Sequence, residues 1–457
     1  MSALARYFNI HGSQVSGSDK EGSLLIDQLM DEGIKNIWTP HSKKKVQDLN
    51  PDYVIYSTAV TDTNDELIWA KENKKQILHR SDLLEIATSD HKLIAVSGTH
   101  GKTTTSSMIF EILKKGGKDP SAFVGGIINS LKTNVIAGNG EYFIVEADES
   151  DKSFLKGEPY IGVITNIEPD HLENYPGGFK EIKDSFTMFA KNGIKNKGLV
   201  SCMQDPVTHE IISSNFDLDN EKIITYSINN NPTKTKTFAI ENKAKGIWDF
   251  YYKNKLITSI KLKMPGFHNI LNALAAFSTT YLLGINSEKI KEALEEYSGV
   301  KRRFEVIGKT NDITIVDDYA HHPTEIALTI KAAKELNPKR LIAVIQPHQP
   351  LRLKFLWNEF IEIIKNEDCQ IFITETYIAR GNHIEGINSI KLVEETNKPN
   401  VKYLPGNTNQ IAESLLKLVK PGDLILIMGA GNITNVGTQL LKLHEGLLQN
   451  SGTTNIN

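Results

Sequence analysis

Short apolar runs rich in valine and isoleucine recur along the chain as YVIYS, KLIAVSG, YFIVEAD, IGVITN, ITIVDD, RLIAVIQ, CQIFITE and DLILIMG. Runs without polar alternation suit strands buried on both faces of a parallel sheet. Between them lie longer amphipathic segments, among them Lys180 to Asn192 and Ile326 to Leu336, whose apolar positions recur at helical spacing. Strand and helix patterns in alternation predict an α/β protein. With 457 residues the chain exceeds what one hydrophobic core supports. Three blocks are expected, 1–87, 88–297 and 298–457: LHRSDLLEIATS leads out of the first, and SGVKRRFEVIG reads as a linker into the third. The helix after the loop GTHGKTTT is expected to start around Ser106, and the polar tail after Gly446 to fray.

The N-terminal stretch MSALARYFNIHGSQVSGSD reads as a helix, a turn at Gly12 and a short strand ending at Asp19. That is the latter half of a dinucleotide-binding βαβ unit without its first strand and glycine-rich turn. Two expectations follow: translation begins upstream of Met1, or the domain has lost its pyrophosphate cradle.

Composition narrows the class. Lysine plus arginine (52) nearly balance aspartate plus glutamate (55), so no field of one sign favours nucleic acid or anionic membranes. The two cysteines, Cys202 and Cys369, stand far apart, which fits a reducing compartment and packing roles. The stretch MSALARYFNIHG has no charged head followed by an apolar h-region, so no secretory leader is expected, and no stretch approaches the roughly 20 apolar residues of a membrane span. A cytoplasmic protein is expected.

The strongest local chemistry is IAVSGTHGKTTT, an apolar strand followed at once by Gly98, Thr99, His100, Gly101, Lys102, Thr103 and Thr104 and then a helix. Small residues let backbone N–H groups curl around phosphate oxygens, the helix N-terminus adds partial positive charge, Lys102 reaches the β and γ phosphates, and Thr103 can hold Mg2+. An accidental lysine in a glycine-rich turn would not also carry the strand, the Gly-Lys-Thr and the helix. The loop is one residue shorter than the general P-loop pattern, unlike standard GTPases and small-molecule kinases. Next, VEADESDKSF runs a strand into Glu146, Asp148, Glu149 and Asp151, where carboxylates can hold the nucleotide's metal. Glu146, directly at the strand end, is the preferred ligand; Glu149 and Asp151 read equally well as solvated loop. A third strand, GVITNIEPDHLENY, delivers Asn166, Asp170 and His171 in the same way, and its histidine reads as a metal ligand.

Taken in order from Gly98 to Ile433, GTHGKTTT, EADESDKSF, TNIEPDHLENY, GFHNILNALAA, KRRFE, DDYAHHPTE, QPH and GAGNI resemble the Mur ligases. The resemblance covers nearly the whole chain. It implies a three-domain α/β architecture: a Rossmann-like N-terminal domain lacking its first strand, a central P-loop ATPase-like domain and a Rossmann-like C-terminal domain. Within the family, EADESD, DDYAHHPTE and QPH are most similar to the members that add L-alanine to UDP-N-acetylmuramate. The implied chemistry is ATP-dependent: the lactyl carboxylate is phosphorylated, and the amino acid's amine attacks the acyl phosphate to leave an amide. By the same resemblance Thr103 and Glu146 hold one Mg2+ and His171 the other, with Lys102, His171 and Arg303 catalytic. His268, Asn269 and Asn272 line the adenine and ribose region, Arg303 reaches the phosphates and Asp318 takes the ribose hydroxyls. The loop with His321, His322 and Glu325 closes over ATP and substrate rather than binding metal. His322, His348 and Arg352 face the substrate, and Ser18, Asp19, Ser57, Thr58 and Asn64 contact the uridine diphosphate.

Two departures touch the amino-acid pocket. The family follows QPH with arginine where this chain has Gln349, and its YxAGE motif appears as Tyr377-Ile378-Ala379-Arg380-Gly381. An arginine is the natural bidentate clamp for a carboxylate, which leaves Arg352 or Arg380 as the compensating cation. Two alternatives stand beside the L-alanine ligase: a sister ligase for another amino acid or peptide, and a non-catalytic nucleotide-binding paralogue. A dinucleotide-dependent oxidoreductase rests only on the half βαβ unit and the late GAGNI.

Overall fold

The computed structural model of the chain describes residues 1–57, 59–150, 152–230, 235–379 and 382–450. It forms two compact units, one of residues 1–127, 131–261 and 271–297, the other of 128–130, 262–270 and 298 onward.

The first unit opens with the helix Ser2–Ile10, then β1 (Ser16–Ser18), β2 (Asn36–Trp38), β3 (Tyr53–Tyr56) and β4 (Gln76–His79). These make two separate parallel pairs, β1 with β2 and β3 with β4. YVIYS is therefore not buried on both faces as its composition suggested: Tyr53 is 54% exposed and the rest of β3 is half-buried. A strand with one neighbour and little cover has one open edge and one wet face, whatever its side chains prefer. The N-terminal helix places Leu4 and Tyr7 in an aromatic cluster with Phe123 and Phe143.

The large sheet follows with β5 (Lys92–Ser97), β6 (Ser121–Ile128), β7 (Thr133–Ile136), β8 (Tyr142–Glu146), β9 (Ile161–Ile164), β10 (Gly198–Cys202), β11 (Ile223–Ile228), β12 (Thr237–Asn242), β13 (Ile247–Tyr252) and β14 (Lys255–Ile260). Its order is β14-β13-β12-β11-β10-β9-β5-β8-β6-β7. From β11 to β6 the neighbours run parallel, as the continuous apolar runs require. The edge β12-β13-β14 is antiparallel and only partly buried, with polar residues set among its apolar ones, so the search for continuous apolar runs passed it over. β5 sits between β9 and β8, so the C-terminal ends of these three strands open onto one crevice, where α/β sheets bind ligands. The helix Gly178–Lys195 covers one face through Ile182, Phe186 and Phe189.

The helix after β5 spans Lys102–Lys115, four residues earlier than Ser106. Its run of threonine and serine is a poor helix start by propensity, but Thr105, Ser106 and Ser107 are fully buried and packing overrides propensity.

The second unit carries β15 (Glu305–Thr310), β16 (Ile313–Asp318), β17 (Arg340–Ile345), β18 (Gln370–Ile373), β19 (Val401–Tyr403) and β20 (Asp423–Met428) in the order β15-β16-β20-β17-β18-β19. All neighbours are parallel except β15 with β16. SGVKRRFEVIG is thus only partly a linker, because its last residues enter β15 and pair with β16. Side chains of the strands pack on both faces, Val316 and Leu341 on one with Phe360 of the helix Trp357–Asn366, and Ile315 and Val344 on the other with Val436 of the final helix. The final helix, Thr434–Asn450, runs past Gly446, where a frayed tail was expected. Among the described residues no helix is long and apolar enough to cross a membrane.

Candidate active site

The loop between β5 and its helix is shaped by close backbone approach. Gly98 has φ +132° and Gly101 φ +82°, conformations that side chains rarely adopt. A Cβ on Gly98 would lie 2.2 Å from Thr165 Oγ1, and one on Gly101 2.4 Å from Asn272 Oδ1. The end of β9 braces the loop from beside it. Asn166 Oδ1 accepts from the His100 N–H at 2.9 Å, its amide donates to the His100 carbonyl at 2.9 Å, and the Thr165 hydroxyl donates to that carbonyl at 2.6 Å. The Glu168 N–H donates to Thr99 Oγ1 at 2.8 Å. Asn166 was visible in sequence only as a polar residue at a strand end; its role as a brace comes from parallel pairing that puts Ser97 opposite Ile164.

Lys102 curls back so that its ammonium donates to the carbonyls of Gly98 and Thr99 and to Glu149 Oε1 at 2.9 Å. Burial alone would lower its pKa, yet the attraction of Glu149 outweighs that and the pKa is raised, so Lys102 is a cation at neutral pH. Thr103 Oγ1 donates to Glu146 Oε2 at 3.1 Å, and Glu146 Oε1 accepts the Gly125 N–H. The hydroxyl and carboxylate expected to share a cation are therefore adjacent. His171 follows the β9 end at φ +55°, its Nε2 3.6 Å from Asp170 Oδ2. Asn272 completes this group, accepting from Thr105 Oγ1 at 3.3 Å beside Gly101. The chemistry of this donor set, a glycine cradle, a buried cation and a Thr–Glu pair, fits a triphosphate and its divalent metal.

The uridine-side expectations lie in the same unit. Ser18 Oγ donates to Glu66 Oε2 at 2.5 Å and stands 2.8 Å from His41 Nδ1. Glu66, which sequence reading missed, also accepts from Trp38 Nε1 at 2.9 Å and the Ser42 N–H at 2.7 Å. Asp19 accepts from the neighbouring Lys20 N–H, and the Ser57 carbonyl accepts from the Val60 N–H. Asn64 caps the helix Asp65–Glu72 through the N–H groups of Glu66 and Leu67. Thr58 lies outside the described residues, as do Asp151, Arg380 and Gly381.

In the second unit Arg303 is flanked by Arg302 at φ +59° and Phe304 at φ +48°, and its guanidinium lies 5.2 Å from the Tyr319 ring centroid. Asp318 fixes this bend: its oxygens accept from Phe304 N–H and Ala320 N–H, each at 2.7 Å. Burial pushes its carboxyl up to about 6, against the pull of Arg303 and these two bonds. Burial pushes His268 down to about 4, so it is neutral at pH 7 and serves as a donor or acceptor, not a cation. Asn269 donates to the Pro265 carbonyl at 2.7 Å. His322 and Glu325 form a capping box on the helix Pro323–Glu335, a structural use of residues whose metal reading was already disfavoured. His348 stacks on Tyr377 at 5.8 Å and meets His321 edge-on at 5.4 Å. Gln349 starts the helix Pro350–Phe355, which carries Arg352, and its N–H donates to the Tyr377 carbonyl at 2.9 Å. Gln346, also missed, pins GAGNI: its amide donates to Asn432 Oδ1 at 3.0 Å and its oxygen accepts the Ile433 N–H at 3.3 Å.

Replacing Gly98 by alanine is expected to cost roughly 1–3 kcal/mol of stability through the Thr165 and Asn166 clash. ATP affinity should fall with it, because the Gly98 carbonyl that holds Lys102 must move. Thermal melts and calorimetric ATP titration check this, and unchanged affinity would remove the cradle from the site.

Together the fold and this loop fit a nucleoside-triphosphate-binding α/β protein, with the candidate phosphate loop in its first unit. The chain matches three family models: "Mur ligase family, catalytic domain" over residues 1–92, "Mur ligase middle domain" over 96–280, and "Mur ligase, glutamate ligase domain" over 302–431. It is 39% identical over 444 residues to a UDP-N-acetylmuramate–L-alanine ligase of Clostridium tetani, covering 97% of this chain and 95% of that one. A protein of the same name from Caldanaerobacter subterraneus is 41% identical over 446 residues, again covering 97% and 95%. The solved UDP-N-acetylmuramate–alanine ligase of Thermotoga maritima superposes with a TM-score of 0.78 at 28% identity, over 98% of this chain and 97% of that one. The chain belongs to the Mur ligase family. It is an enzyme, a ligase, and ATP is the nucleotide of its family.

Proposed function

We propose that this ligase joins L-alanine to the lactyl carboxylate of UDP-N-acetylmuramate at the expense of ATP, in peptidoglycan precursor synthesis. The observation that carries the reading is the phosphate loop itself, with Lys102 buried and charged and Thr103 beside Glu146, in a chain about 40% identical throughout to ligases of that name. ATP supplies the phosphoryl group; Thr103 and Glu146 would hold one Mg2+ and His171 a second, and these ions would neutralise charge around that group. Glycine N–H groups orient the phosphates, and Lys102 and Arg303 offset the charge that develops as the carboxylate is phosphorylated. His268, Asn269, Asn272 and Asp318 take the nucleoside, and Ser18, Asp19, Ser57, Thr58 and Asn64 the uridine diphosphate. His322, His348 and Arg352 receive the amino-acid end. The three blocks 1–87, 88–297 and 298–457 divide these tasks among UDP-sugar, ATP and amino acid. A cytoplasmic setting fits the two free cysteines.

Phosphate release by the full chain with ATP, UDP-N-acetylmuramate and each of L-alanine, glycine and L-serine tests the reading. L-Alanine should stimulate most; preference for another amine would make the chain a sister ligase. Gln349 and Arg352 sharpen the test. Gln349→Arg is expected to strengthen and Arg352→Ala to weaken L-alanine use, each by about 1.5–3 kcal/mol for a desolvated bond to a charged group. Equal kinetic parameters in both variants would place these residues on an inert surface instead.

A further inference from the structure

The ammonium of Lys102 finds a full set of acceptors within the chain itself. An ammonium has three N–H donors, and those of Lys102 go to the carbonyls of Gly98 and Thr99 and to Glu149. The two carbonyls belong to the loop and curl the side chain over it. The third acceptor is an anion, delivered by the acidic segment after β8. It is well buried, with Lys102 side-chain exposure at 18% and that of Glu149 at 8%. Glu149 Oε2 is buried and has no hydrogen-bond partner among the described residues, so Lys102 is the principal interaction of this carboxylate. Its backbone is held too, since the Tyr175 hydroxyl and the Lys152 N–H donate to its carbonyl. A triphosphate entering the cradle needs the same ammonium, and its own negative charge is repelled by Glu149.

We propose that Glu149 is a positioning residue that latches Lys102 until a triphosphate displaces it, so that an anionic side chain of the enzyme competes with the nucleotide for the same cation. The latch keeps Lys102 folded over the loop and opposes weakly charged occupants. After phosphoryl transfer the same carboxylate recaptures the lysine, which favours release of the diphosphate. This rests on the phosphate-loop reading of Proposed function, but not on the identity of the amino acid.

Calorimetric binding of a non-hydrolysable ATP analogue to the full chain reads the latch directly. Glu149→Gln removes the charge and keeps the shape, and is expected to lower the analogue's Kd by about tenfold, or about 1.4 kcal/mol. ADP should tighten as well, with product release slowed in single-turnover experiments. A merely structural Glu149 predicts the opposite sign, weaker binding together with a lower Tm. Should Glu149→Gln not fold, Glu149→Asp carries the test, since it withdraws the charge by one methylene and should tighten binding to a smaller degree. Unchanged or weaker analogue binding in the folded variant overturns the latch. Lys102→Ala binding the analogue like the native chain would overturn both the latch and the phosphate-loop reading. Failure of L-alanine to stimulate phosphate release leaves this binding experiment intact, so the two readings fail separately.

Discussion

Lys102→Ala should reduce ligase turnover by roughly 1,000-fold or more, the scale expected when a preorganised charge is removed from a phosphoryl-transfer site. The ammonium is nearly buried and held charged by Glu149, so water cannot replace it cheaply. The substitution also leaves the Glu149 carboxylate buried without its cation, a defect that costs about 3–5 kcal/mol when one partner of a buried pair is deleted. Lower Tm and lost turnover should therefore appear together. Adding Glu149→Ala to Lys102→Ala separates them: stability should recover in part while turnover stays lost. Phosphate-release kinetics and thermal melts of the single and double variants check this. A near-native rate for Lys102→Ala would refute the role given to the loop.

Glu146→Ala is expected to lower kcat/KM by about 100-fold or more at moderate Mg2+, the range seen when a key electrostatic contact to the reacting groups is lost. Part of that loss should return as Mg2+ is raised, because a weakened cation site refills by mass action. The geometry behind this is local. Glu146 ends β8, paired with Val96 of β5, so its carboxylate faces the Thr103 hydroxyl and the Gly125 N–H. His171→Ala should share the Mg2+ dependence if the histidine holds a second ion. Titrating activity against Mg2+ for both variants decides the matter. A Mg2+ profile identical to that of the native chain would take the residue out of the metal site.

Much of this was legible in the sequence because it depends on local order. The phosphate loop needs an apolar strand, glycines at fixed places and a helix start, and all three are consecutive from Ile94 to Thr104. The parallel strands announced themselves because burial on both faces forbids polar alternation, as in the fully buried β9 and β20. Where cover is partial the signal weakened: β12 to β14 mix polar residues among apolar ones and were passed over, while YVIYS looked buried and is not. The helix start at Lys102 was misplaced because threonine and serine argue against a helix unless their burial is known.

What the sequence determined by itself was the family, the α/β class and the position of the candidate phosphate loop, since each rests on chemistry repeated at short spacing. Only the tertiary structure decided which residues hold those in place. Asn166 and Thr165 brace the loop, Asp318 bends the backbone around Arg303, Gln346 pins GAGNI, and Glu149 occupies Lys102. Each of these partners is separated from its target by between 14 and 87 residues of sequence. A hydrogen bond depends on atoms within about 3 Å of each other. Residues so distant in the chain reach that separation only when strand order and register have been set by burial, so no local pattern can announce the pairing.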